Sequence, residues 1–131
     1  MKKELSEAAD IKFLVDSFYQ KVVVDDTIGY FFNEVVELNW DHHIPIMYSF
    51  WETILLGKGG YKGNPVLKHV ELSQKAALTE QHFERWILLW NSTLDEHFEG
   101  KIAEEAKKKA LTMKELMMFK INFHGNPDSI Q

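Results

Sequence analysis

The sequence predicts an all-α fold, and three observations carry that reading. Apolar residues recur at helical i, i+3, i+4, i+7 spacing through almost the whole chain. Helix punctuation (Asn64-Pro65, Thr79 and Gly100) falls between those stretches. A chain of 131 residues, 45% hydrophobic with a net charge of −5, is one ordinary folding unit, here 1–124, that needs no disulfide or metal to bury a core.

Residues 7–24 place Ile11, Leu14, Val15, Phe18, Tyr19 and Val22 on one helical face, with Ser6 as the expected N-cap. A short apolar segment, Ile28 to Val36, follows and holds Phe31 and Phe32. The next helix runs from about Asp41 to Leu56 and presents Ile44, Met47, Phe50, Trp51, Ile54 and Leu55. Pro45 is expected in its first turn, because deeper in a helix a proline removes a hydrogen bond and clashes with the preceding turn. Gly57 to Asn64 is the flexible stretch. Asn64 and Pro65 then read as N-cap and first residue of a short helix, Pro65–Leu72, carrying His69. Thr79 caps a long fourth helix, about 80–98, with Leu78 and Phe83 forming a hydrophobic staple across the cap. That helix buries Phe83, Trp86, Ile87, Trp90 and Leu94, and Gly100 stands where a C-terminal cap glycine belongs. The last helix, about 101–122, shows Ile102, Ala106, Ala110, Met113, Leu116 and Met117 on one face and turns Lys107-Lys108-Lys109 to solvent. The tail 125–131 reads as disordered.

Several function classes drop out on composition. The acidic balance offers no electrostatic footprint for nucleic acid. No apolar run approaches the ~18–20 residues of a membrane span, so neither nucleic acid nor a membrane is an expected partner. The N-terminal MKKELSEAAD lacks a signal-like apolar stretch and the chain has no cysteine, which suits the cytoplasm. Phosphate loops, HExxH, GxSxG and cysteine nucleophiles are all missing. Glu34 and Glu37 with His42 and His43 make a poor metal site, because adjacent histidines on a helix point about 100° apart.

What remains is a heavy aromatic load (9 Phe, 4 Trp and 4 Tyr) and His69 among Leu67, Val70 and Leu72. On spacing alone such a histidine reads more readily as an ordinary helix residue than as a ligand. Tyr19 borders the apolar stripe of the first helix and Trp86 lies within that of the fourth, and both carry a donor that needs a partner when buried. These rings either pack on one another or surround something flat.

Four blocks decide between those readings by resemblance. FYQKV at 18–22, FWETILLG at 50–57, NPVLKH at 64–69 and LTEQHFERW at 78–86 occur in this order. Together with Gly100, Ala103, Ala106 and Ala110, and over about residues 9–123, they resemble the truncated haemoglobins, most closely the third group of that family. The resemblance implies a shortened globin, a two-over-two helical sandwich around one haem b, with the proximal helix cut to a turn or two. It implies His69 as proximal ligand of the haem iron, with Tyr19, His43 and Trp86 on the distal side. It places Phe32, Met47, Phe50, Trp51, Leu72 and Phe83 around the pocket. Pro45, two residues after His43, departs from the family pattern. Lys58, Lys62, Lys68 and Arg85 are the cations near enough in sequence to meet the haem propionates.

The implied function is binding of dioxygen, nitric oxide and carbon monoxide at a five-coordinate iron. Distal donors to a ligand that draws negative charge are worth about 1.5–3 kcal/mol each. Tight oxygen retention suits redox use, as a nitric oxide dioxygenase or peroxidase-like protein served by a reductase, more than delivery. A gas sensor or scavenger without turnover is the alternative, and a haem-free helical interaction protein a further one.

Overall fold

The computed structural model describes residues 2–35, 40–58 and 60–125. Five α-helices carry the fold: α1 (Ala8–Val22), α2 (Trp40–Leu56), α3 (Pro65–Lys75), α4 (Glu80–His97) and α5 (Lys101–Gly125). A single turn of π-helix, Phe31–Val35, lies between α1 and α2. Helix α1 packs on both α2 and α4, α4 packs on α5, and α3 lies against α5. This is a pair of helices over a pair, with α3 as the short fifth element.

Two apolar clusters hold it together. The larger buries Ile11, Leu14, Val15, Phe18 and Val22 of α1 against Phe50, Trp51 and Leu55 of α2, Trp90 and Leu94 of α4, and Ala103, Ala106 and Ala110 of α5. At its centre Trp51 stacks on Trp90, ring centroids 4.4 Å apart, and the Trp90 indole N–H donates to the Ala106 carbonyl at 3.2 Å. Three alanines on α5 leave room for that indole pair to sit close to the α5 backbone. The second cluster, Val70, Phe83, Met117 and Ile121, ties α3 to α4 and α5.

Some helix ends differ from expectation. The N-cap of α1 is Glu7, not Ser6, because Asp10 folds back to accept from the Ser6 and Glu7 amides, both at 3.0 Å. Pro45 lies one turn deeper than the first turn, since α2 begins at Trp40. Pro45 and Asp41 are both exposed, so the carbonyl the proline leaves unbonded faces water. Helix α3 runs on to Lys75. Gly100 does not close α4: Phe98–Glu99 first forms a two-residue parallel bridge with Lys3–Glu4. Gly100 then turns at φ +101° and its carbonyl accepts from the Glu104 amide, opening α5. On α5, Leu116 is exposed while Met117 and Ile121 are buried. Lys108 and Lys109 face solvent, whereas Lys107 pairs with Asp95 and Glu104. Val36, Gly59 and tail residues 126–131 lie outside the described residues.

Asp10 supplies a test of the first helix. Burial pushes its carboxyl up, but the Lys3 ammonium at 2.6 Å and the two amides outweigh that and hold it below its ordinary 3.8. Its contribution is therefore present above pH 3.8 and lost as pH falls through the lowered value. Asp10→Ala should cost about 1–2 kcal/mol in urea unfolding at neutral pH, and the gap from wild type should close in acid.

Candidate functional site

The Asn64 side chain accepts from the Leu67 amide at 3.0 Å, and Pro65 starts α3 where its missing N–H costs nothing. One turn on, His69 Nδ1–H donates to the Pro65 carbonyl at 2.7 Å. In a neutral imidazole that leaves Nε2 with the free lone pair. Burial lowers the His69 pKa, against which the Pro65 bond works, so the ring is neutral at pH 7. Phe83 of the second cluster lies 6.3 Å from the His69 ring, and Leu72 is half-buried on the same helix.

Across from α3, a set of rings converges from α1, the π-turn and α2. Tyr19 meets Phe32 at 5.9 Å and His43 at 5.7 Å, all edge-on. Burial raises the Tyr19 pKa, so its hydroxyl stays protonated and a donor. The His43 pKa is lowered by burial and then by the nearness of His69 and His42, which places the two imidazoles within electrostatic reach of each other. His43 Nε2 is buried with no hydrogen-bond partner among the described residues. An orphaned nitrogen of this kind is costly in a fold unless a ligand answers it.

Phe18 links this set to α4, edge-on to Tyr19 at 5.1 Å and to Trp86 at 6.3 Å. Met47 is half-buried against the main core. Phe50 and Trp51 are themselves in that core, with Phe50 edge-on to both Trp51 and Tyr61. Lys58, Lys62 and Lys68 are exposed. Arg85 is held elsewhere: its guanidinium grips Asp25 at 2.7 Å, while Asp25 also accepts from the Thr27 and Ile28 amides. No cluster of three or more metal-ligating side chains occurs among the described residues. Glu37, once weighed as a ligand, lies outside them.

Sequence reading missed Trp40. Its ring lies 5.6 Å from Tyr19 and 5.9 Å from His43, and stacks on Phe32 at 5.8 Å. The available signal was its position three residues before His43, which puts both on one helical face once α2 is known to start at Trp40.

The family model of bacterial-like globins matches residues 4–120. The chain belongs to that family. A curated relative, the group 3 truncated hemoglobin ctb of Campylobacter jejuni, is 33% identical over 98 residues, covering 72% of this chain and 75% of its own. The crystal structure of the group III truncated hemoglobin from Campylobacter jejuni superposes with a TM-score of 0.81 at 26% identity, over 96% of this chain and 99% of that one. This globin is thus of the truncated kind and most like the third group, with the two-over-two sandwich expected of it. Membership implies haem as cofactor and diatomic gases as ligands. The residues fit the group: a neutral imidazole whose Nε2 keeps its lone pair, a His43 Nε2 unanswered among the described residues, and Phe83 and Tyr19 beside the one and the other. No described helix is long and apolar enough to cross a membrane.

Both imidazoles should titrate below 6.5 in the haem-free protein, as read from their ring-proton shifts by NMR. The sign follows: as pH falls below 6.5 the unfolded chain takes up protons that the fold refuses, so apoprotein stability declines with acid. A value at or above 6.5 for either ring would contradict this burial.

Proposed function

We propose that this globin holds haem b through His69 Nε2 and binds dioxygen tightly, with nitric oxide and carbon monoxide as further ligands. The observation that carries the reading is Tyr19 and His43 converging opposite α3 with His43 Nε2 buried and unanswered. When bound, haem b supplies an iron whose open position takes a diatomic gas. The Pro65 carbonyl holds His69 in the tautomer that presents Nε2. Tyr19, kept protonated by its burial, donates toward the gas, as do His43 and the Trp86 indole on our assignment. Two such bonds to a charge-drawing ligand slow its release by about a hundredfold or more. Phe32, Met47, Leu72 and Phe83 exclude water beside the haem, while Phe50 and Trp51 brace its edge from the main core. Lys58, Lys62 and Lys68 are free on the surface to meet the propionates, whereas Arg85 is engaged by Asp25.

Slow release favours chemistry on the retained gas, in a nitric oxide dioxygenase or peroxidase-like role with a reductase restoring the iron. The cysteine-free composition suits a cytoplasmic setting for such a cycle. Rapid mixing of the oxygenated protein with nitric oxide tests the redox role: fast nitrate formation with reductase-dependent recycling supports it, and slow stoichiometric loss of oxygen supports a sensor or scavenger. An absorption spectrum of the purified protein excludes or admits the haem-free reading directly.

Two substitutions test the assignment. His69→Ala should abolish stable haem binding, and a normal Soret band in that variant would refute the proximal assignment. Tyr19→Phe should accelerate oxygen dissociation by about tenfold or more, measured by stopped flow, and an unchanged rate would remove Tyr19 from the distal site.

A further inference from the structure

Trp40 stands at the first position of α2 and meets two residues assigned to the distal side, Tyr19 and His43, and one assigned to the pocket wall, Phe32. Its ring is 5.6 Å from Tyr19 and 5.9 Å from His43, inclined at 67° and 76°, and stacks on Phe32 at 5.8 Å and 29°. The same residue lines an open groove of about 400 Å³ between α1 and α2, together with Asp16, Tyr19, Gln20, Val23 and Ile44. The indole and the Tyr19 ring thus border the same groove. His43 Nε2 has no hydrogen-bond partner among the described residues, and Tyr19 and Trp40 both pack edge-on against the ring. A donor is worth its full strength only when its direction is held, because hydrogen bonds weaken steeply as they bend. A large rigid indole, with two torsions to freeze and three rings to meet, is well suited to hold it.

We infer that Trp40 is a positioning residue of the distal pocket. It fixes the ring planes of Tyr19 and His43 through the edge-on contacts that its indole makes with both. This rests on the haem-pocket reading above. A Trp40 that merely fills space would contribute to folding stability without affecting how the distal donors address a ligand.

The test uses the full haem-loaded chain in four forms: wild type, Trp40→Ala, Trp40→Phe and Tyr19→Phe. Two readouts are taken, the C–O stretching band of the carbon monoxide complex by infrared spectroscopy and the oxygen dissociation rate. Trp40→Ala should move the band to higher frequency and broaden it, and speed dissociation about tenfold, the loss of one well-directed bond to a charged acceptor. Trp40→Phe, which keeps a flat ring against Tyr19 and His43, should retain the wild-type band and rate. The ferrous Soret band should be unchanged in both, since His69 is untouched. A wild-type band and rate in Trp40→Ala, with both moved in Tyr19→Phe, overturns the role of Trp40 and leaves the pocket reading standing. No change in Tyr19→Phe overturns the distal reading itself, and this inference with it. Should Trp40→Ala fail to hold haem, Trp40→Leu takes its place under the same criteria.

Discussion

The hydrogen bond from His69 Nδ1 to the Pro65 carbonyl, 2.7 Å long, is the interaction on which the site depends. It selects one of two tautomers, and only that tautomer offers a lone pair at the outer nitrogen. The bond exists because Pro65 is the first residue of α3, and α3 starts there because Asn64 caps it by accepting from Leu67. Pro65 and His69 are four apart, so the ring reaches back along its own helix toward the carbonyl one turn earlier. A short helix therefore contains the proposed ligand, its orienting acceptor and its own start signal. What it lacks is a reason to stay in place, and the second apolar cluster supplies that: Val70, next to His69, is buried with Phe83 of α4 and Met117 and Ile121 of α5.

The rings about His43 come from separate elements: Tyr19 on α1 and Trp40 on α2 meet it, and Phe32 on the π-turn stacks in turn on Trp40. On the proposed assignment the proximal side is thus local in sequence and the distal side non-local, so His69 is robust to changes elsewhere while Tyr19 and His43 depend on how α1 and α2 pack. That packing is set in the main core, where Phe18 stands next to Tyr19 and also meets Trp90, which in turn stacks on Trp51 of α2. The central indole stack joins α2 to α4 and, through Phe18, to α1, so it helps set the spacing of the two helices that carry Tyr19 and His43.

This division explains which features were legible in the sequence. The α3 cap, the Thr79 start of α4 and the apolar face of α1 are short-range signals, and each emerged where expected, with His82 at the third position of α4 receiving the Thr79 amide at 3.0 Å. Glu7 replaced Ser6 because the cap is decided by where the Asp10 carboxylate folds back, a contact with Lys3 and two amides that no single residue preference records. Pro45 inside α2 is tolerated because its turn faces water, which depends on how the helix is rotated against α1. Gly100 was expected to cap α4 but opens α5 instead, because Phe98–Glu99 first bridges to Lys3–Glu4, a pairing 95 positions apart with no periodicity to announce it. Trp40 was missed for the same reason: its importance lies in meeting Tyr19, 21 positions away, and the start of α2 had been set one residue too late.

The aromatic excess can now be divided by what each ring does. Phe18, Phe50, Trp51 and Trp90 pack on one another in the main core, and Phe83 closes the second cluster. Tyr19, Phe32, Trp40 and His43 form a different kind of group, half-buried side chains in mutual contact with a polar atom left unanswered at their centre. A core selected for stability alone would bury such rings fully and pair that nitrogen, because an unsatisfied buried group costs about 1–3 kcal/mol. Partial burial with an orphaned donor or acceptor is what a pocket looks like when its energetic accounts close only with a guest present. The same reasoning separates Arg85 from the site. Its guanidinium is already satisfied by Asp25, whose carboxyl is held low by that bond and by two amides against the opposing effect of burial. A cation so engaged ties α4 to the turn after α1, and on the proposed haem assignment it leaves the exposed lysines at 58, 62 and 68 as the cations to meet a propionate.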